Sequence, residues 1–512
     1  MPGVPLLDHT TYARINADGM QRRARAAGFQ QWRTAVTATG GCTQPIRLSG
    51  SWALQDSGTG QVLTNRTGHV LIPCGNRRES VCVACSDRYA ADAYHLLKAG
   101  LAGGTKGVPT EVADKPRLFV TLTAPSFGPV HNRRAPHGKA LPCRCGQFHH
   151  PDDPALGQPL NPASYDYIGH VLWQAHAGAL WHRFITYLKR HLAEAAGFRQ
   201  ADFNKHARLS FAKVAEFQRR GVIHFHAVIR LDGPAGSKDP TPPWGGIDAL
   251  AEAVRAAHAN VTMTSPDVGG QRWQLAFGDQ LDIRPIRPAQ AAEVENTSGV
   301  ITDDRLASYV AKYATKGTSA SQAADRRIRS QADIDRLTVS AHHRKIIQTA
   351  WDLVAPVPCP DCHPHGPHRP EGCGCQQRTH AQYCATCDNG GEVTRTTRQH
   401  FLHPEADDKP DPLDALKLRH WAHMLGFRGH FLTKSKHYSV PFRQIREDRR
   451  RYQHEHTLAE LGITDTDSIT VINDWSMTSV GHRTPEEREL AAAIAEGQRA
   501  VRKRKYDSER KD

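Results

Sequence analysis

The alternation of apolar and polar positions divides this chain into strands, helices and loops, and one strand pair organises the rest. Val214 to Phe217 and Val222 to Leu231 are rich in β-branched and aromatic residues, while Gln218-Arg-Arg-Gly221 between them is polar and ends in glycine. That combination predicts a β-hairpin. Successive strand side chains point to opposite faces, so His224 and His226 share a face and Phe225 looks the other way. With the turn centred near Arg219 and Arg220, Glu216 falls opposite His224 on the partner strand. Arg117 to Ala124 is a further strand, stopped by Pro125, and Leu281 to Ile286 another. Residues 11–36 read as a basic helix and Ala249 to His258 as another, while helical spacing of apolar residues runs through Asp87 to Leu101. It also runs through Tyr165 to His191, by way of Ile168, Leu172, Leu180, Phe184 and Leu188. Arg305 to Lys316 reads as a helix with Tyr309, Tyr313 and Lys316 on one face and Lys312 paired with Lys316. His131 to Asn161 and Asp232 to Trp244 are rich in Pro and Gly, the first reading as an insertion. Strands and helices arranged around a hairpin predict an α+β fold: a central antiparallel sheet with helices on one face, plus cysteine-rich zinc-binding insertions.

Composition narrows the partner. In 512 residues, sufficient for two to four domains, 66 Lys and Arg stand against 52 Asp and Glu, a formal charge of +14. Such an excess suits a polyanion. No run of eighteen apolar residues occurs, and the first residues lack a basic region followed by an apolar core, so the expectation is a cytoplasmic protein with no membrane partner. In that compartment the twelve cysteines read as Zn²⁺ ligands rather than disulfides. Cys82-x2-Cys85 forms a knuckle that Cys42 and Cys74 can complete. Cys143 and Cys145 are followed by His149 and His150. Cys359-x2-Cys362 and Cys384-x2-Cys387 make the strongest zinc signal, and Cys373 and Cys375 between them fit either that site or a pairing with Cys143 and Cys145. On the long helix, His170, His176, His182 and His191 read as surface or core groups rather than ligands. The glycine loop at 103–107 lacks the Gly-Lys-Ser/Thr of a phosphate-binding loop, so strand unwinding would need a partner.

Two imidazoles and a carboxylate on a rigid sheet can hold Mg²⁺ or Mn²⁺ with coordination positions left open. A tyrosine near such a cation can attack a phosphodiester, with lysines stabilising the developing charge. Taken singly, His224-Phe-His226 is matched by half-buried strand histidines and the tyrosine helix by an ordinary basic amphipathic helix; their occurrence together favours chemistry. From Leu416 to His437, Trp421, Phe427 and Phe431 interleave with Arg419, Arg428, Lys434 and Lys436. This suits a surface that stacks bases and neutralises phosphates, although a buried aromatic cluster with charged edges has the same sequence. From His482 onward the chain is a charged, helix-like tail.

Three of these motifs resemble those of the HUH endonucleases that initiate rolling-circle replication, in that family's order: Phe119-Val-Thr-Leu-Thr-Ala124, His224-Phe-His226 and Tyr309-Val-Ala-Lys-Tyr313. The run from Cys74 to Cys85, that from Phe119 to His131 and Gly426-Phe-Arg-Gly-His-Phe-Leu-Thr-Lys-Ser435 are similar to replication initiators of actinobacterial plasmids and integrative elements. This likeness spans about Gly40 to Phe442. The resemblance implies a nickase that cuts origin DNA, locally single-stranded, through a 5′-phosphotyrosyl intermediate, leaves a 3′-hydroxyl for a host polymerase, and rejoins strands at termination. A host helicase would open the duplex. Tyr309 and Tyr313 would act in alternation, their order left open, with His224 and His226 holding the cation; Glu216 is set beside them by hairpin geometry rather than by a motif. The expected organisation is a helical and zinc-knuckle region over 1–110, the endonuclease domain over 111–350, a zinc-knuckle module over 351–400, a DNA-contact region over 401–481 and the tail over 482–512. A relaxase or single-strand transposase would share the chemistry, and a noncatalytic zinc-dependent DNA-binding regulator would share the charge and cysteines.

Overall fold

The structure is a computed structural model, and it describes residues 9–134, 139–287, 301–302, 306–307, 327–360, 386–388, 392–405, 409–460 and 469–509. The principal strands are β1 (Ile46–Asp56), β2 (Val62–Ile72), β3 (Arg117–Leu122), β4 (Arg208–Phe217), β5 (Ile223–Asp232), β6 (Leu281–Arg287), β7 (Ile301–Thr302), β8 (Leu432–Lys434) and β9 (Ile469–Val480). The principal helices are α1 (His9–Arg25), α2 (Phe29–Ala38), α3 (Val83–Ala102), α4 (Tyr167–Ala195), α5 (Ile247–Asn260), α6 (Ala341–Asp352), α7 (Phe442–Glu460) and α8 (Pro485–Glu509). The chain divides into two compact units: one of Met1–Ala113, Asp303–Gly317 and Ser439–Asp512, the other of Asp114–Thr302 and Thr318–Tyr438. Each therefore draws on several separate stretches of sequence.

The second unit is built on a six-stranded sheet in the order β8-β4-β5-β3-β6-β7, antiparallel except for the short β6/β7 pair. The fold is thus mixed α and β around antiparallel sheet, as the pattern predicts. Alternation sorts the strands into two faces. Leu118, Val120 and Leu122 of β3, Ala215 and Phe217 of β4, and Phe225, Ala227 and Ile229 of β5 join Leu172, Leu180, Trp181, Phe184 and Leu188 of α4 in one core. Helix α4 is two residues shorter at its start and four longer at its end than its apolar spacing indicates. Asp166 caps it by accepting from the Gly169 N–H at 2.7 Å. The opposite face of β4 and β5 mixes the buried Ala212, Val214 and Val228 with polar and charged groups.

At the far end of β5 that face carries a buried charge cluster. Asp232, fully buried, accepts from Arg230 Nε at 2.8 Å, Lys115 Nζ at 3.1 Å and Ser210 Oγ at 2.5 Å. Lys115 also donates to the carbonyls of Ser237 and Asp239. Two cations around one carboxylate, with carbonyls taking the remaining protons, satisfy a group that would otherwise be costly to bury.

The first unit holds a second antiparallel sheet, β9-β1-β2. Its edge strands β2 and β9 are largely exposed and the central β1 is half-buried along nearly its whole length, so none shows the alternation of a strand with one face in a core. The stretch expected as one basic helix over 11–36 is two, α1 and α2, broken before Phe29 where Gly28 takes φ 76°. The charged tail is helical as expected and also packs: Ala491 of α8 is buried with Trp32 and Val36, and Arg499 pairs with Asp87.

Candidate active site and metal centres

The hairpin forms with the register that turn chemistry implies, Glu216 opposite His224. The Gly221 N–H donates to Gln218 O at 2.9 Å and the Gln218 N–H to Val222 O at 2.8 Å, with Gly221 at φ 78°. A side chain at that glycine would need left-handed backbone, and its Cβ would lie 2.9 Å from Ile346 Cδ1.

On the face away from α4, one oxygen of Glu216, Oε2, lies 2.9 Å from His224 Nε2 and 3.2 Å from His226 Nε2. The three ligand atoms fall within 4.8 Å of one another. Burial would raise the Glu216 carboxyl, but hydrogen bonds from the two imidazoles outweigh it and hold the group down at about 2, so it is a carboxylate at neutral pH. Burial lowers His226, against the pull of Glu216, which keeps its ring neutral and a competent ligand. The second ring nitrogen, Nδ1, meets Thr121 Oγ1 at 3.1 Å, and Phe119 stacks on the ring at 5.7 Å. Both come from β3, which pairs with β5 so that Thr121 stands opposite His226. Thr121 and Phe119 of β3 therefore fix the plane of the buried His226 ring. Asp282, opposite Thr121 on β6, adds a further carboxylate on this side.

Several residues that support the site are not apparent from sequence. Gln174 of α4, fully buried, accepts from the Ile223 N–H at 3.0 Å and donates to Gly221 O at 3.2 Å. His170 Nε2 donates to the same carbonyl at 3.3 Å, and Tyr165 OH donates to His170 Nδ1 at 2.9 Å. His342 of α6 donates from Nε2 to Arg220 O at 3.0 Å. Burial drives His170 and His342 below the ordinary imidazole range and His343 down to about 3. Arg220 itself donates to Gln218 Oε1, Pro125 O and Ala124 O, all at 2.8–2.9 Å, tying the turn to the chain leaving β3. The turn is thus fixed from three sides. His170 is a core group, in line with its reading from the sequence.

Two cysteine clusters are assembled. Cys42, Cys74, Cys82 and Cys85 bring four sulfurs within 4.8 Å, with Cys82 and Cys85 each 3.7 Å from Cys42. Four thiolates around one Zn²⁺ at about 2.3 Å stand about 3.8 Å apart, so this set fits the ion. Hydrogen bonding from Cys42 and its neighbours holds Cys82 well below the ordinary thiol value. Cys143, Cys145 and His149 also converge, and His131 joins them. Cys359 and Cys387 pack in one small buried cluster with Val357 and Val393; Cys362, Cys373, Cys375 and Cys384 lie outside the described residues. So do Tyr309, Lys312, Tyr313 and Lys316, though Leu306 and Ala307 just before them are helical and buried.

The basic and aromatic stretch is divided differently from a base-stacking surface. Phe427 and Phe431 are buried and pack on Phe217 at 6.2 and 5.8 Å, because the chain from 418 to 432 lies against the hairpin's core face. They are core residues, which corrects the stacking role expected for them; Trp421 is half-buried against the same core. Arg419 donates to Trp351 O and lies 4.4 Å over the Trp351 ring. Arg428 and Lys434 are half-buried, each lowered by burial, and Lys436 is exposed.

Among the described residues, no helix is long and apolar enough to cross a membrane. No solved structure matches the chain significantly. A curated replication initiator protein of Streptomyces ambofaciens is 39% identical over 504 residues, covering 96% of this chain and 94% of that one. The family model described as "Replication initiator protein, pSAM2" matches residues 28–496. With the hairpin, its support from β3 and the first cysteine cluster all inside that span, the chain belongs to the pSAM2 family of replication initiator proteins.

Proposed function

We propose that this replication initiator is an HUH-type, metal-dependent tyrosine nickase that opens one strand of origin DNA for rolling-circle replication in the cytoplasm. The observation that carries the reading is the convergence of Glu216, His224 and His226 on the sheet face away from α4, with His226 oriented by Thr121. The donor set, two neutral-capable imidazoles and one ionised carboxylate, fits Mg²⁺ or Mn²⁺. Such a cation, when bound, polarises a phosphodiester and stabilises the leaving oxygen. His224, His226 and Glu216 hold it; Thr121 and Phe119 keep the His226 ring from turning. Tyr309 or Tyr313 attacks phosphorus, forming a 5′-phosphotyrosyl bond as the 3′-oxygen leaves, and Lys312 and Lys316 stabilise the charge that develops. The energy of the broken bond is retained for rejoining, so the step needs no ATP. A host helicase and polymerase act on the nicked product. Zn²⁺ bound by Cys42, Cys74, Cys82 and Cys85, and a further ion at the Cys359/Cys387 module, serve structure rather than chemistry. Arg419, Arg428, Lys434 and Lys436 contribute phosphate contacts through charge.

The test is a denaturing-gel shift of end-labelled, single-stranded origin DNA with protein and Mn²⁺, beside Tyr309→Phe, Tyr313→Phe and the double variant. A covalent adduct that disappears in the double variant supports the reading. An origin-binding, metal-binding protein that never forms an adduct overturns it in favour of a noncatalytic regulator.

A further inference from the structure

The stretch between β3 and α4 is held together by very little apolar burial. From His131 to Leu156, Cys143 is the one buried residue among those described, and Phe148 is 67% exposed. Its two arms pair as an irregular ladder, His131 N–H to Gln158 O and Gly157 N–H to His131 O, both 2.9 Å. A loop of this composition does not fix itself by hydrophobic contact, and small elements without a core are commonly stapled by a metal.

The tip carries the means. The Cys143 N–H donates to Gln147 O and the Gly146 N–H to Cys143 O, both 2.8 Å, a tight turn that swings Cys143 and Cys145 to one side. Across from them, His131 Nδ1 lies 3.2 Å from His149 Nε2, and Cys145 Sγ 3.3 Å from the same nitrogen. All four ligand atoms lie within 4.8 Å of one another. Around a tetrahedral Zn²⁺ with bonds of about 2.0–2.3 Å, nitrogens stand about 3.3 Å apart and nitrogen and sulfur about 3.5 Å, the spacing found here. His149 Nδ1 meets Asp153 Oδ2 at 2.7 Å, with the ring itself only 3% exposed. A carboxylate on the far nitrogen of an imidazole is the support that zinc-ligating histidines characteristically have.

We propose that His131, Cys143, Cys145 and His149 bind one Zn²⁺ in a closed Cys2His2 site that clamps this insertion onto the turn of the catalytic hairpin. The site needs no ligand from Cys373 or Cys375. Its consequence for the hairpin follows from two contacts. Arg219 Nη1 donates to Pro151 O at 2.6 Å, and Gly157, at φ 87°, lets the backbone of Arg219 approach to 2.5 Å of where a Cβ would stand. Between insertion and turn lies a cleft of about 380 Å³ lined by His131, Asn132, Arg133, Gln218 and Arg219. The zinc ligand His131 is thus also a wall of that cleft, and losing the ion frees both the wall and the turn.

The experiment measures zinc by elemental mass spectrometry in full-length protein and in Cys143→Ser/Cys145→Ser. The double variant should hold one equivalent less, and hydrogen exchange should accelerate at 139–160 and at 218–222 while β1 and β2 keep their protection. His131→Cys should retain zinc and shift the thiolate-to-cobalt absorption of the Co²⁺-loaded protein, a change that tests ligation even if the serine variant folds poorly. Unchanged zinc content in a folded double variant, or a Co²⁺ spectrum insensitive to His131→Cys, overturns the proposal. Neither readout depends on nicking, so the outcome is separate from the fate of the catalytic reading.

Discussion

Replacing Gln174 with leucine tests whether α4 holds the turn of the β4–β5 hairpin. The two side chains are similar in volume, so the change removes polarity rather than packing. It leaves the Ile223 N–H, one residue before His224, buried without its acceptor at 3.0 Å, at a cost of about 1–3 kcal/mol. The Gly221 carbonyl loses one donor and keeps His170 Nε2 at 3.3 Å, so its share is small. A net loss of about 2 kcal/mol corresponds to roughly 30-fold more frequent opening of the turn. Unfolding of a chain this long is unsuited to a single two-state midpoint, and hydrogen exchange by mass spectrometry on a peptide spanning 218–226 reads the local effect directly. Exchange there should quicken by about that factor, with β1 and β2 unaffected, and Mn²⁺ affinity should fall in step as the histidines lose their platform. Wild-type protection over 218–226 in a folded Gln174→Leu protein would refute the idea that this side chain carries the turn.

Other consequences are open to direct measurement. Glu216→Ala removes the oxygen on which both imidazoles converge, and calorimetry should show Mn²⁺ affinity down by about 100-fold or more; unchanged affinity would remove Glu216 from the ligand set. His170, His342 and His343 have depressed values in the folded state, so the unfolded chain takes up protons that the folded one refuses. Their contribution is fully present above about pH 6.5 and is lost as pH falls toward about 3. Protection of 218–226 should weaken across that window, and His343→Asn should flatten the dependence. Lys213, on the helix-covered face with Nζ 3.9 Å from the Phe225 ring centre, is pushed by burial down to about 7. Stability should therefore rise with pH between about 7 and the ordinary lysine range near 10.5. Lys213→Met should stabilise the protein at pH 7 by about 1–2 kcal/mol after loss of the cation–π contact; destabilisation would show that the ammonium is better solvated than its burial indicates.

The hairpin is legible in the sequence because turn chemistry and alternation agree within twenty residues, and from it the register of Glu216 and His224 follows. Gln174, His170 and His342 are not legible as supports, since their partners are backbone groups of a turn distant in sequence and no local pattern encodes that meeting. Phe427 and Phe431 show the ambiguity of interleaved aromatic and basic residues: burial, which sequence spacing does not carry, decides between stacking platform and core. The β9-β1-β2 sheet is hidden because its strands, exposed at the edges and evenly half-buried at the centre, have no apolar period to find. His131 does not stand out as a ligand because it precedes Cys143 across a loop, outside any compact cysteine–histidine motif.

The pairing of β8 with β4 has a bearing on how the protein is made. Val214 leaves the ribosome long before its partner Leu432, so throughout that interval one flank of the hairpin offers unpaired N–H and C=O groups to any passing strand. A translation product that stops short of Lys434 would keep that flank bare for good. Such fragments should self-associate, so a chain extended past Lys434 is the first species in which that flank of the hairpin is covered.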